Sequence, residues 1–226
     1  RGLTRAAWQM RLPPPKVPPA ATAGFGAAMG PRLLPGTYTV RLTKDTDSYT
    51  APLAVQPDPR VKRSSDDRRA QYELALKLYR QLEDMTFAVD RINGVRLGLD
   101  DRAGRLAADD PLAKRLRAAS AHADDFRKKI VATKEGGMIT GEERLREYLT
   151  QLYGEVAMYE GRPSKTQSDR TDALAREVAD IEHEFDSWVA STLSEVNAAI
   201  AAKKLPRVQP IAREEWQKND RPQLRR

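Results

Sequence analysis

Cysteine is absent from this 226-residue chain. That excludes disulfides, thiolate metal sites and cysteine nucleophiles, and it fits either redox compartment. No run of about 18 apolar residues occurs, so no membrane-spanning helix is encoded. Histidine occurs twice, as His122 and His183, and the zinc-protease spacing His-Glu-x-x-His is missing. No Gly-x-Ser-x-Gly nucleophile elbow is present. The glycine-rich stretch Ala23 to Pro31, AGFGAAMGP, contains Gly-x-Gly. It lacks the preceding strand, the following helix and the lysine of a phosphate loop, and reads as loop. Carboxylate pairs abound because the chain is highly charged, and none stands in the apolar context that general acid catalysis wants. The sequence therefore shows no enzyme site.

Charge is abundant but mixed. The 39 basic residues are interleaved with 32 acidic ones, for a net charge of +7. Stretches such as DDRRAQYE and GEERLREY read as solvated helix faces, so nucleic-acid binding is not expected. The exceptions are the basic segments KKLPRV and RPQLRR near and at the C-terminus. His183 lies in DIEHEFD, where Asp180 and His183 share a helix face. Ile181 and Phe185 mark the core side of that helix, and no second histidine is close. No metal, cofactor or small-molecule ligand is expected.

Residues 1–12 partly alternate: Leu3, Ala6 or Ala7, Trp8, Met10 and Leu12 could line one face of a strand. Residues 13–35, rich in Pro, Gly and Ala, have no usable period and read as a partly polyproline-like loop. Next comes GTYTVRLTKDTDSYTAPLAV, Gly36 to Val55. Tyr38, Val40 and Leu42 alternate with Thr37, Thr39, Arg41 and Thr43, and KDTDS supplies turn residues, so the stretch predicts a β-hairpin. Pro52 cannot donate a ladder hydrogen bond, which makes the second strand an edge or delays its start. QPDPR, Gln56 to Arg60, ends the sheet.

The period then becomes helical. Ser64 or Ser65 suits an N-cap, followed by Asp66 and Asp67 in the first turn. Ala75, Leu78, Leu82, Met85, Val89 and Ile92 form one stripe. Asn93-Gly94 and Gly98 weaken the helix, and DDRAGRLAADD is the expected connection. Asp110-Pro111 opens a second helix, with Leu112, Leu116, Ala119, Ala123, Phe126 and Ile130 as its stripe and Gly136-Gly137 as its stop. Thr140-x-x-Glu143 is read as a capping box for a third helix, with Leu145, Leu149, Leu152, Val156 and Tyr159 facing the core. Ser164-x-x-Gln167 opens the longest, whose stripe runs from Leu174 through Val178, Ile181, Phe185, Trp188 or Val189 and Val196 to Ile200. Leu205-Pro206 ends it. The expected fold class is α+β: a small antiparallel sheet followed by an antiparallel bundle of about four helices.

Several stretches together carry a resemblance. They are GLTRAAWQMR (Gly2 to Arg11), GPRLLPGTYTVRL (Gly30 to Leu42), YTAPLAVQPDPRV (Tyr49 to Val61), GRPSKTQSD and STLSEVNAAIAAKKLPRV. The chain resembles the C-terminal region of bacterial sortilin-like (VPS10/BNR-repeat) β-propeller proteins, often labelled glycosyl hydrolases. Pro35-Gly36-Thr37-Tyr38 and Asp58-Pro59-Arg60 are the most specific parts. The resemblance implies an immunoglobulin-like sheet over residues 1–60 including the loop 13–35, with Tyr38, Val40 and Leu42 facing its small core, a helical bundle over 61–205, a basic tail over 206–226, and export to the periplasm or cell surface. The family's propeller and its Asp-box repeats are absent, so no catalytic residue is carried over.

Arg1 stands where an initiator Met would, so a removed leader or a longer parent chain is expected. The functional expectation is a non-catalytic structural or interaction module: an accessory subunit of a larger extracytoplasmic or membrane-associated complex. The alternative is an accessory region of a secreted, glycan-active propeller protein. The expected partners are other protein subunits, and the candidate contact residues are Trp8, Phe25, Arg207, Trp216, Arg225 and Arg226. Trp188 is assigned to the core. Trp216, a bulky aromatic in a polar tail, must dock on its own chain or on a partner.

Overall fold

Capping chemistry sets the helix starts. In the computed structural model, which describes residues 2, 5–20, 25–134 and 141–219 (backbone alone at Phe25 and Asn219), Ser64 Oγ accepts from the Asp67 N–H at 3.0 Å. This starts α1, Ser65–Gly104. Asp110 accepts from the Leu112 N–H at 2.8 Å and Pro111 takes the first helical position of α2, Pro111–Ile130. Ser164 and Gln167 cap each other reciprocally at the start of α4, Lys165–Trp188. These are the starts the sequence predicts.

Three helical boundaries differ from expectation. α1 does not weaken at Asn93-Gly94 but runs for 40 residues, because Val95, Leu99 and Ala103 extend the buried stripe one side chain per turn. α3 covers Leu145–Met158 and starts later than the Thr140–Glu143 box, of which Thr140 lies outside the described residues. Glu142 instead accepts from the Thr133 and Lys134 N–H groups at 2.8 and 2.7 Å, and Glu147 takes over the capping role by accepting from the Arg144 N–H at 3.0 Å. α2 ends at Ile130, and Val131 is already extended. The expected stop, Gly136-Gly137, lies outside the described residues.

The last long helix contains a π-helical turn, Val189–Leu193, before α5, Ser194–Ala202. Its wider i→i+5 turn explains the ambiguous stripe there. The core side chains step from Trp188 to Leu193, five residues instead of three or four, and then resume at Val196 and Ile200. Trp188 is buried, as the sequence reading assigned it.

One core joins these elements. α1 packs on α2, α3 and α4, and the buried residues of all of them form a single apolar cluster. The short helix α6, Arg213–Asn219, lies beyond. The sheet is one antiparallel pair, β1 (Gly36–Lys44) and β2 (Asp47–Val55). Lys44 pairs with Asp47 around a two-residue turn, and Asp45 takes the positive φ (53°) that such turns require. Counting from that hydrogen-bonded closing pair, Thr39↔Pro52 is a non-hydrogen-bonded pair. Pro52 therefore sits inside the strand without breaking the ladder.

The described part of residues 1–12 does not join the hairpin. Its one pairing is an isolated bridge, Arg11↔Arg32, with Leu12 donating to Pro31 and Leu33 donating to Met10. Residues 13–20 and 25–30 are instead strapped to the helices. The Lys16 carbonyl accepts from the Thr86 hydroxyl at 3.0 Å, and buried Arg146 donates through Nε to Pro18 at 2.7 Å. The Tyr153 hydroxyl donates to Met29 at 2.7 Å. A short 3₁₀ turn, Phe25–Ala27, crosses α3 so closely that a Cβ on Gly154 would stand 2.8 Å from the Gly26 Cα, and one on Gly26 would stand 2.0 Å from the Thr150 carbonyl oxygen. Gly26 and Gly30 of AGFGAAMGP thus serve close backbone approach.

Two helical glycines should respond oppositely to alanine. Gly94 is exposed with nothing near its Cβ position, so Gly94→Ala should raise stability by about 1 kcal/mol through helix propensity. Gly154→Ala should lower it by about 1–3 kcal/mol, because the overpacking against Gly26 outweighs the same propensity gain. Denaturant midpoints of the two variants against the parent chain check both signs.

Candidate interaction site

The alternation of β1 and β2 sorts their side chains by polarity. One face carries Tyr38, Val40 and Leu42 opposite Leu53, Ala51 and Tyr49, with the pair Lys44↔Asp47 at its tip, and the other carries Thr37, Thr39, Arg41 and Thr43 opposite Ala54, Pro52, Thr50 and Ser48. The apolar face was expected to cover a small core. It does not: Val40, Leu42, Tyr49 and Leu53 are 47%, 64%, 59% and 38% exposed. No helix packs on the hairpin to any extent among the described residues. The Gly-Thr-Tyr element instead anchors its foot, where the Tyr38 hydroxyl donates to Leu34 at 2.6 Å and Trp8 meets the Tyr38 ring edge-on at 6.0 Å. Trp8 itself remains exposed and extends the apolar patch.

At the hairpin's foot a groove of about 600 Å³ opens between the Arg11–Arg32 bridge, the loop Gln56–Arg63, the first turns of α1 and the segment Met158–Gly161. Leu33, Leu34, Val55 and Val61 give it apolar walls, and Met10, Met29 and Met158 stand exposed along it. Arg11, Arg32, Arg63 and Arg68 also line it, against the carboxylates of Asp58 and Glu160. Arg32 pairs with Glu160, and Asp58 with Arg60 at 2.7 Å. Burial holds the Arg11 guanidinium below its ordinary range, and neighbouring Arg32 adds to the shift. The pairing partner of Arg11 is the Gly30 carbonyl at 2.8 Å.

Of the remaining candidate contact residues, Phe25 sits in the 3₁₀ turn, and Arg225 and Arg226 lie outside the described residues. Arg207 is exposed in a segment bound to the helices. Next to it, buried Val208 exchanges two hydrogen bonds with Asn197, at 2.8 and 2.9 Å, and packs on Gly98. Trp216 docks on its own chain. Its Nε1 donates to Asp90 at 2.7 Å, and its ring lies 5.5 Å from the Phe87 ring. Lys16 stands 4.0 Å over the ring centroid, and Arg213, which pairs with Asp84, covers both rings. The segments at Lys16 and at Arg213–Trp216 thus meet on α1. Sequence reasoning missed the groove arginines, which lie in three separated segments with no common period.

His183 is exposed on α4. No group of three side chains poised to hold a metal occurs among the described residues, and no described helix is long and apolar enough to cross a membrane. Half-buried Glu182, one residue away from His183, has its carboxyl pushed above the ordinary 4.5 by burial. Arg91 opposes the shift, Asp84 and Asp186 add to it, and Arg213 opposes it.

Trp216→Ala should cost about 1–3 kcal/mol, the range for losing a packed and hydrogen-bonded side chain, and should speed amide exchange across residues 205–219. The sign of the Glu182 effect follows from linkage. A raised native pKa means that the folded state binds the proton more tightly, so this group's contribution to stability falls as pH rises from about 4.5 through the folded value. Glu182→Gln should flatten the stability–pH profile in that window, read by thermal melts across pH. No protein-family model, curated protein or solved structure matches the chain.

Proposed function

We propose that this chain is a non-catalytic interaction module: an accessory subunit of a larger extracytoplasmic or membrane-associated assembly that docks by the apolar face of its hairpin. The observation that carries the reading is the bare face of Val40, Leu42, Tyr49 and Leu53, with half-buried Tyr38 at its foot. A two-stranded hairpin is marginal alone in water, and a contiguous exposed apolar patch marks a surface used for association. Trp8 beside it is the residue type that anchors interfaces. The non-catalytic assignment rests on the missing nucleophile, elbow and metal-ligand patterns in the sequence.

A second reading draws on both hairpin edges being unpaired among the described residues. In it, the hairpin is part of an immunoglobulin-like sheet beside a helical bundle, as the sortilin-like resemblance implies. The remaining strands would come from a glycan-active propeller protein of which this chain is the accessory region. The intact mass of the native protein separates the two readings: a value far above 25.3 kDa favours the second.

Because Val40 and Leu42 are exposed, the double variant Val40→Asp/Leu42→Asp should change stability by less than about 1 kcal/mol. Size exclusion of tagged chain at native abundance should show the parent in a complex and the variant shifted toward the free chain. A parent chain that migrates alone would sink the docking role.

A further inference from the structure

The groove at the foot of the hairpin differs chemically from the hairpin face. The hairpin face is apolar from Tyr38 to Leu42 and charged only at the tip pair Lys44↔Asp47, whereas the groove combines apolar walls with cations that lack carboxylate partners. Among the described residues, Arg11, Arg63 and Arg68 form no ion pair. Arg11 donates to the Gly30 carbonyl, Arg68 donates to the Val61 carbonyl at 3.3 Å, and Arg63 lies over the Tyr159 ring at 5.3 Å. The two groove carboxylates are already engaged by Arg32 and Arg60. Glu160 lies within electrostatic reach of Arg11, and Asp58 of Arg68, yet the arginines still outnumber them. A smaller hollow of about 260 Å³ shares Leu34, Pro35, Pro57, Arg63 and Arg68 with the groove and adds Arg69. The depression is therefore elongated and basic along its length.

We infer that this groove binds an extended segment of a partner polypeptide in which aspartate or glutamate alternates with aliphatic residues. Charge selects the occupant: carboxylates in bidentate reach of guanidiniums give register as well as attraction. Shape selects an extended chain over a compact ligand, because the two hollows continue into one another around Arg63 and Arg68. The rim is suited to a peptide as well. Of the five methionines in the chain, Met10, Met29 and Met158 stand on this groove, and flexible thioethers repack around varied aliphatic side chains. The inference rests on the reading of the chain as an interaction module. It concerns a second surface, one that the hairpin substitutions do not touch.

The test is selection of a displayed random seven-residue library on the full chain, followed by fluorescence anisotropy with the best enriched peptide. Enrichment of Asp or Glu flanked by Leu, Ile, Val or Phe is expected. Binding should weaken at least tenfold in Arg68→Met and in Arg63→Met, and it should fall with rising salt. Two variants are used because Arg68 also holds the Val61 carbonyl, whereas Arg63 is exposed and only stacks on Tyr159. Thermal melts confirm that each is folded. Val40→Asp/Leu42→Asp should bind the peptide as the parent does, which separates failure of the groove from failure of the hairpin docking. Three results would overturn the inference: no enrichment, enrichment of neutral or basic peptides, or acidic-peptide binding that both arginine variants retain. Binding of dodecanoate without any peptide enrichment would reassign the groove to small anionic amphiphiles.

Discussion

Everything described above hangs on the apolar stripe of α1. Its side chains from Ala75 to Ala103 are sealed from solvent at nearly every turn, and α2, α3 and α4 bury their own stripes against it. Such a stripe cannot be left in water, and a helix of this length gains most of its stability from packing rather than propensity. The 40-residue span also fixes the distance between the two ends of the molecule. The hairpin and groove stand by its N-terminus, and the Val208 contact lies near its C-terminus.

The loop residues 13–20 and 25–35 have no hydrophobic period, so they are held differently. Backbone carbonyls at Lys16, Pro18 and Met29 accept from Thr86, Arg146 and Tyr153. Gly26 and Gly154 let two backbones touch. Polar anchoring of this kind satisfies carbonyls that a polyproline-like chain cannot pair within itself. It also places Arg11 and Arg32 beside the loop Gln56–Arg63 and so builds one wall of the groove. Midway along α1, Phe87, Lys16, Arg213 and Trp216 tie the N-terminal loop to α6 through ring packing and cation–ring contacts.

Against this anchored body the hairpin is the exception. Its register is well specified by the Lys44↔Asp47 closure, and its larger apolar side chains share one face, yet Val40, Leu42, Tyr49 and Leu53 on that face stay exposed. In a domain where every other large stripe is covered, an uncovered one is the feature with least structural reason to exist. The groove beneath it has the complementary character, with cations left over after the local ion pairs are made. The two surfaces lie next to each other at one end of the molecule, so a partner could engage both.

Local chemistry made the helices legible in the sequence. Ser64, Asp110 and Ser164 act through bonds two or three residues away, and stripes at three and four spacing need only their own helix to be read. The hairpin was legible for the same reason, through its alternation and turn. What failed were inferences about stopping and covering. Gly94 and Gly98 did not weaken α1, which runs on into the expected connection as far as Gly104, because Val95, Leu99 and Ala103 are buried by other elements. Leu42 did not face a core, because nothing in a strand's own pattern says what lies opposite it. Arg11, Arg63 and Arg68 could not be gathered into one groove, since their meeting depends on the bridge to Arg32 and on loops without period. The sequence by itself determined which segments are helix or strand and which face of each is apolar, since these follow from bonds and contacts within a few residues. Only the tertiary structure decided which faces are buried, where Val208 and Trp216 dock and which groove cations remain unpaired among the described residues, since those depend on contacts between residues far apart in the chain.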